Sequence, residues 1–197
     1  MDMEKYKYVF RSGMYSTDEI NHILTNQSRH DLHVEFVGVR LNSLNFAAFG
    51  HKIHSLQITD CYFENVEPVA RIFHETPNLK CFDCHLAEED QTTRKFLKKL
   101  TTHLRTCNSS KFSNLEKFKC IHGETWDDCR RIDLPFEELY RIFPTLNSIH
   151  FPIINLAYLS NLDRGIKNDL TELCGANLEM GDKLSPLMQN FLIAMPK

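Results

Sequence analysis

A chain of 197 residues is long enough for one domain with a sizeable core or for one short solenoid, and it is too short for several independent domains. Its 42% hydrophobic and 25% charged residues are typical of a folded protein and argue against long disorder. The formal net charge of -3 offers no overall attraction to phosphate groups, so neither a nucleic acid nor a membrane is the expected partner.

Targeting signals and cysteine usage bear on the compartment. The N-terminal residues lack the apolar stretch of a secretion signal, and no segment approaches the roughly 18 apolar residues that span a bilayer. The seven cysteines are an odd number and are scattered, which is typical of reduced thiols. We therefore expect a cytoplasmic or nuclear protein.

A sequence signal for the start of a helix lies near the N-terminus. Ser16 to Glu19 match a capping box, and Ile20, Ile23 and Leu24 follow at helical spacing. Residues 1–31 are therefore interpreted as an N-terminal capping region.

From residue 32 onward one pattern recurs: an apolar residue, two residues, an apolar residue, one residue, an apolar residue. Four copies begin at Ile53, Leu79, Leu115 and Leu146, and a weaker copy in residues 33–39 lacks the first apolar position. Because side chains alternate along a strand, the fourth and sixth positions point to one side. Each copy predicts a strand with one face in the core.

Helical periodicity fills the intervals between these strands. Apolar stripes occur in residues 66–73, 96–104 and 136–143, and Pro68 stands where the first turn of a helix tolerates proline. A strand followed by a helix cannot bury its own apolar face, so successive units must stack.

The fold predicted for residues 32–155 is therefore α/β: a short leucine-rich-repeat solenoid of about five irregular strand-helix repeats, with parallel strands on the concave face. Insertions are expected in residues 105–114 and 122–133, because the last two repeats are longer than usual. Residues 156–197 are interpreted as a C-terminal cap or partly disordered tail. A doubly wound sheet is the alternative, since it also alternates strands and helices.

The string TPNLKCFDCHL at residues 76–86, within residues 56–86, resembles the irregular leucine-rich repeats behind the F-box of F-box substrate receptors. The resemblance covers roughly residues 20–155. It implies a substrate-recognition arm for a ubiquitin ligase, which holds a target protein. Residues 1–31 supply no F-box, so a ligase adaptor is an expected partner only if an unseen F-box exists. The F-box-like string at residues 134–143 is interpreted as a repeat helix, because it lies between two predicted strands.

Two cysteine patterns suggest cofactors. Residues 81–85 match the C-x-x-C-H motif of haem attachment, and Cys81, Cys84, Cys120 and His122 could be read as zinc ligands. Residues three apart on a strand point to opposite faces, so neither set converges. We expect no metal, no cofactor and no catalytic residues.

The candidate site is instead the strip of side chains that stacked strands present on the concave face. The predicted function is non-enzymatic binding of a protein partner, and the alternative is a doubly wound α/β enzyme or small-ligand-binding domain with a pocket at the carboxyl ends of its strands. The candidate partner-binding residues are Glu35, Gln57, Asp83, His85, Lys119 and His150.

Overall fold

A computed structural model describes residues 7–63, 65–86, 93–106, 114–122, 136–153 and 172–177. Within these residues the protein is α/β, and its strands form one sheet. The strands lie side by side in chain order, and every neighbouring pair is parallel. They are β1 (Lys7–Arg11), β2 (Leu32–Val37), β3 (Ile53–Thr59), β4 (Cys81–Leu86), β5 (Lys117–His122), β6 (Ser148–Ile153) and β7 (Glu172–Asn177).

Helices connect most of these strands. In the described residues they are α1 (Thr17–Thr25), α2 (Phe46–Phe49), α3 (Glu67–Glu75), α4 (Thr93–Thr106) and α5 (Phe136–Ile142). The crossover from β2 to β3 has the short helix α2 between two 3-10 turns, Leu41–Ser43 and Gly50–Lys52, in place of one longer helix. Helix α4 packs between α3 and α5.

The strand register confirms the predicted alignment of the sequence pattern. Residues at the fourth position pair with one another across the sheet, in the order Val34, Leu56, Phe82, Phe118 and Ile149. The sixth positions do the same, in the order Phe36, Ile58, Cys84 and Cys120. All of these side chains are buried, because the two-residue period of a strand sends both positions to the same face.

The predicted helix starts are also confirmed. At α1 the Ser16 backbone N–H donates to Glu19 Oε2 over 2.7 Å, and the Glu19 N–H donates to Ser16 Oγ over 3.2 Å. These bonds satisfy donors that a helix N-terminus leaves free. Pro68 lies in the first turn of α3, and Asn65 Oδ1 accepts the Glu67 N–H over 2.9 Å.

One hydrophobic core joins the helices to the sheet. The apolar stripes of α3, α4 and α5 are buried in the same cluster as the fourth and sixth strand positions. Aromatic rings link successive units: Phe118 lies 5.7 Å from Phe82 and 6.2 Å from Phe143, measured between ring centroids. The helices therefore cover one face of the sheet.

The sheet is larger than the five predicted strands, because β1 and β7 were not predicted. Strand β1 lies in the region interpreted as a capping region, where Tyr8 pairs with Val34 and Phe10 with Phe36. Strand β7 lies within residues 156–197 and pairs with β6. The rest of that region, and most of the expected insertions, lie outside the described residues. A doubly wound sheet reverses its strand order at a switch point, and the order of the described strands has no reversal.

Candidate functional site

The candidate site lies on the face of the sheet opposite the core. Among the residues whose side chains the structure describes, those at the fifth and seventh positions point away from the helices, because they alternate with the buried positions. The side chains of Asp83, His85 and Lys119 are 26%, 31% and 32% exposed. They are therefore accessible to a partner, yet held between neighbouring strands.

Five of the six predicted partner-binding residues form one row across the sheet. Glu35 pairs with Gln57, Gln57 with Asp83, Asp83 with Lys119, and Lys119 with His150. Neighbouring strands are about 4.8 Å apart, so the row is roughly 19 Å long. His85, the sixth predicted residue, lies two positions beyond Asp83 on β4, where it pairs with Thr59. We call this set of six residues the open-face row.

Asp83 is the centre of the charge arrangement in the open-face row. Lys119 Nζ lies 3.1 Å from Asp83 Oδ2, and His85 Nε2 lies 3.0 Å from Asp83 Oδ1. The Lys119 ammonium group donates a hydrogen bond to Asp83. The His85 and Asp83 side chains are close enough for an ion pair, but their geometry is not that of a hydrogen bond. Both atoms of the second contact are shielded from solvent. One carboxylate thus holds two side chains from adjacent strands in place.

The structure adds Lys7 to this surface. Its Nζ lies 2.6 Å from Glu35 Oε2 and 3.5 Å from Gln57 Oε1. Lys7 belongs to β1, so it was missed together with that strand. The sequence signal that could have identified β1 is the alternation of the aromatic residues Tyr8 and Phe10 with outward-facing residues.

Burial raises the thiol pKa of three of the cysteines that the structure describes. Cys84 and Cys120 are fully buried and pair across β4 and β5, and burial raises the pKa of the Cys84 thiol well above its ordinary value. Burial also raises the pKa of Cys61 to about 11 and raises the pKa of Cys81. A reactive cysteine needs the opposite shift, because the thiolate is the nucleophile.

The C-x-x-C-H motif is divided between the two faces of β4, as its spacing predicts. Cys84 lies in the core, whereas Cys81 and His85 are on the open side. In the part of the chain that the structure describes, no three His, Cys, Asp or Glu side chains are grouped to hold a metal ion.

A cleft lies at the carboxyl ends of β1, β2 and β3. It has a volume of about 790 Å³ and is lined by the segments 12–17, 38–43 and 62–63. We call it the edge cleft. A smaller groove of about 480 Å³ lies on the outer side of α4, beside Lys98, Lys99 and His103. The edge cleft lies where the alternative of a ligand-binding domain placed a pocket, at the carboxyl ends of strands, whereas the groove on α4 was not predicted.

Fold and surface together define an α/β protein with one parallel sheet in sequential strand order, helices on one face and a polar row on the other. Compared with protein-family models, curated proteins and solved structures, the chain matches none of them. The described helices include none with the length and apolar character needed to cross a membrane.

Proposed function

We propose that this protein is a short, irregular leucine-rich-repeat solenoid that binds a protein partner on its open sheet face, without catalysing a reaction. The observation that carries the proposal is the open-face row. It is a continuous line of polar side chains that stacked parallel strands hold in register. Stacked repeats commonly bind partners along such a surface.

The contacts between successive units support the solenoid part of the proposal. A side chain before each of three strands donates to a backbone carbonyl of the preceding unit: Asn78 Nδ2 to His51 O over 2.7 Å, Asn114 Nδ2 to Pro77 O over 2.8 Å, and Thr145 Oγ1 to Leu115 O over 2.9 Å. The same link in three places is what repetition of one structural unit predicts.

The charge pattern supports a protein partner. The open-face row combines one cation, two carboxylates, an amide and two imidazoles. Its described ion pairs join Asp83 to Lys119 and His85 within the row, and Glu35 to Lys7 on the neighbouring strand β1. A phosphate backbone selects a surface with excess positive charge. A row of mixed sign suits the polar surface of another protein.

The resemblance to F-box substrate receptors extends the proposal to the kind of partner. On that reading the chain is related to a substrate-recognition arm, and the open-face row holds a target of a ubiquitin ligase. Helix α5 supports the reading of residues 134–143 as a repeat helix, because it lies between β5 and β6 and buries Leu139 and Ile142 in the common core.

The test replaces three neighbours in the open-face row together: Asp83→Ala, His85→Ala and Lys119→Ala. Partners of the wild-type chain would be isolated by affinity purification, identified by mass spectrometry, and then measured as purified pairs. We expect the triple variant to lose binding by at least about tenfold, because interface energy concentrates in a few residues.

The control for this test is Lys98→Ala with Lys99→Ala, two exposed positions on α4. Circular dichroism should be unchanged in both variants. Full binding by the triple variant would reject the assignment of the site. Recovery of ligase-adaptor subunits with the wild-type chain would support the F-box relationship, and their consistent absence would count against it.

A further inference from the structure

The edge cleft lies apart from the open-face row. Its walls come from the ends of three strands: Ser12 follows β1, Gly38 follows β2, and Tyr62 and Phe63 follow β3. None of the six open-face residues lines it.

The backbone around the edge cleft is held in place by hydrogen bonds between its segments. The Ser12 N–H donates to Val37 O over 2.9 Å, and the Tyr62 N–H donates to Val39 O over 3.0 Å. The Leu41 N–H then donates to Tyr62 O over 3.2 Å. A ligand therefore meets a formed surface, which lowers the entropic cost of binding.

Exposed apolar side chains concentrate at this corner of the molecule. Among the described residues the large hydrophobic side chains with substantial exposure are Val9, Met14, Tyr15 and Tyr62, and Tyr62 is 66% exposed. Tyr15 and Tyr62 line the edge cleft, and Met14 is adjacent to Tyr15. The Tyr15 ring is held against Phe10, with 5.3 Å between ring centroids in an edge-to-face arrangement. Exposed tyrosines are typical anchors in protein interfaces, and Tyr15 is already held in place by its contact with Phe10.

The charge of the edge cleft is one-sided. Arg40 lines it, and no Asp or Glu does. Within the described residues the Arg40 guanidinium has no ion pair, and Arg40 forms a backbone bridge with Tyr62, which places the two residues next to each other. The nearby Glu19 carboxylate is engaged by Ser16 at the start of α1. An unpaired arginine beside exposed tyrosines favours a ligand that offers a carboxylate next to an aromatic or apolar group.

We propose that the edge cleft binds an acidic segment of a partner protein, with a carboxylate on Arg40 and an aromatic or apolar side chain against Tyr15 and Tyr62. The lining contains two Tyr, one Phe and one Arg, which protein interfaces favour, and no Lys, Asp or Glu, which they disfavour; its three serines are a type that interfaces use less.

The test uses the full chain and a fluorescein-labelled five-residue peptide of alternating glutamate and tyrosine, with binding followed by fluorescence anisotropy. We expect saturable binding that weakens at least about fivefold in Arg40→Gln and in Tyr62→Ala. Peptides with lysine in place of glutamate, or with serine in place of tyrosine, should bind more weakly than the original peptide.

Lys80→Gln is the control for Arg40→Gln, because it removes one positive charge from the opposite end of the strands, just before β4. It should bind the peptide like the wild type, and so should the triple open-face variant, which separates this site from the proposed function. Equal binding by Arg40→Gln and the wild type would overturn the proposal. Displacement of the peptide by inorganic phosphate or adenosine monophosphate at lower concentrations than by free peptide would also overturn it, in favour of a site for small phosphorylated ligands.

Discussion

At the scale of single residues, His33 on the open face gives an expectation for how the stability depends on pH. It lies on β2, two positions before Glu35. Its pKa is lowered mainly because burial disfavours the charged imidazolium, and His54 and Arg29 act in the same direction, whereas Asp31 opposes the shift. The folded protein thus binds fewer protons at this site than the unfolded chain does.

The sign of the pH effect follows from that difference. A lowered folded-state pKa stabilises the fold above the unfolded-state pKa near 6.5. This contribution is lost as the pH falls through the lower folded-state value. We expect the melting temperature to fall less between pH 8 and pH 5 in His33→Gln than in the wild type.

Thermal unfolding followed by circular dichroism at several pH values would measure this difference. His22→Gln is the control, because His22 is an exposed histidine on α1 and lies outside the sheet. An equal pH dependence in His33→Gln and the wild type would contradict the role assigned to His33.

Among the elements, the turn from α2 into β3 depends on a close approach to α3. Gly50 has an ordinary helical φ of -59°, so backbone conformation does not require glycine there. A Cβ at this position would overlap the backbone carbonyl of Glu75, at the end of α3. The constraint is therefore steric and comes from the neighbouring unit.

Gly50→Ala is expected to destabilise the protein by about 1–3 kcal/mol, because an added methyl group must push two backbone segments apart. Urea unfolding would measure the change. Ala47→Ser, at an exposed position of the adjacent helix α2, should change the stability by less than about 0.5 kcal/mol. An unchanged unfolding midpoint in Gly50→Ala would contradict the close packing of α2 against α3.

Lys52 shows the same dependence of one element on the next. Its side chain is buried, and its ammonium group donates to Thr25 O over 2.6 Å and to Gln27 O over 2.7 Å. These carbonyls lie at the end of α1, where a helix leaves acceptors unpaired and favours positive charge. One lysine between α2 and β3 thus completes the C-terminus of α1.

At the scale of the whole molecule, one continuous core connects β1 to β6. The buried cluster includes Phe10 at one end and Ile149 at the other. Phe118 lies inside it, 1% exposed, in contact with rings from β4 and from the residue after α5. A cavity at this position affects three neighbouring units at once.

Phe118→Ala is expected to cost about 3–5 kcal/mol, because the variant loses apolar burial and leaves a cavity. That is a large share of the roughly 5–15 kcal/mol that stabilises an ordinary domain. Urea denaturation would measure the loss, with the exposed neighbour Lys117→Ala as the control. A loss below about 1 kcal/mol in Phe118→Ala would show that the units do not share one core.

The open-face row could be located from the sequence to the extent that the apolar pattern defines the strands. Once the buried positions of β2 to β6 are assigned, alternation places Glu35, Asp83 and Lys119 on the opposite face. Lys7 was missed because β1, the strand that carries it, was not recognised in the sequence. The apolar pattern also did not reveal the edge cleft, whose walls are loops without periodicity.

Local periodicity therefore determined much of the fold: the α/β class, five of the strands, their common register, three of the helices between them and the face that is buried. Alternation and helical spacing depend on residues that are near in sequence, so they can be read without coordinates. Only the tertiary structure showed the edge strands β1 and β7, the ion pairs of Asp83 and Lys7, and the unpaired Arg40 beside Tyr62. Each of these depends on chain segments that meet only after folding, and no spacing along the sequence encodes their distance.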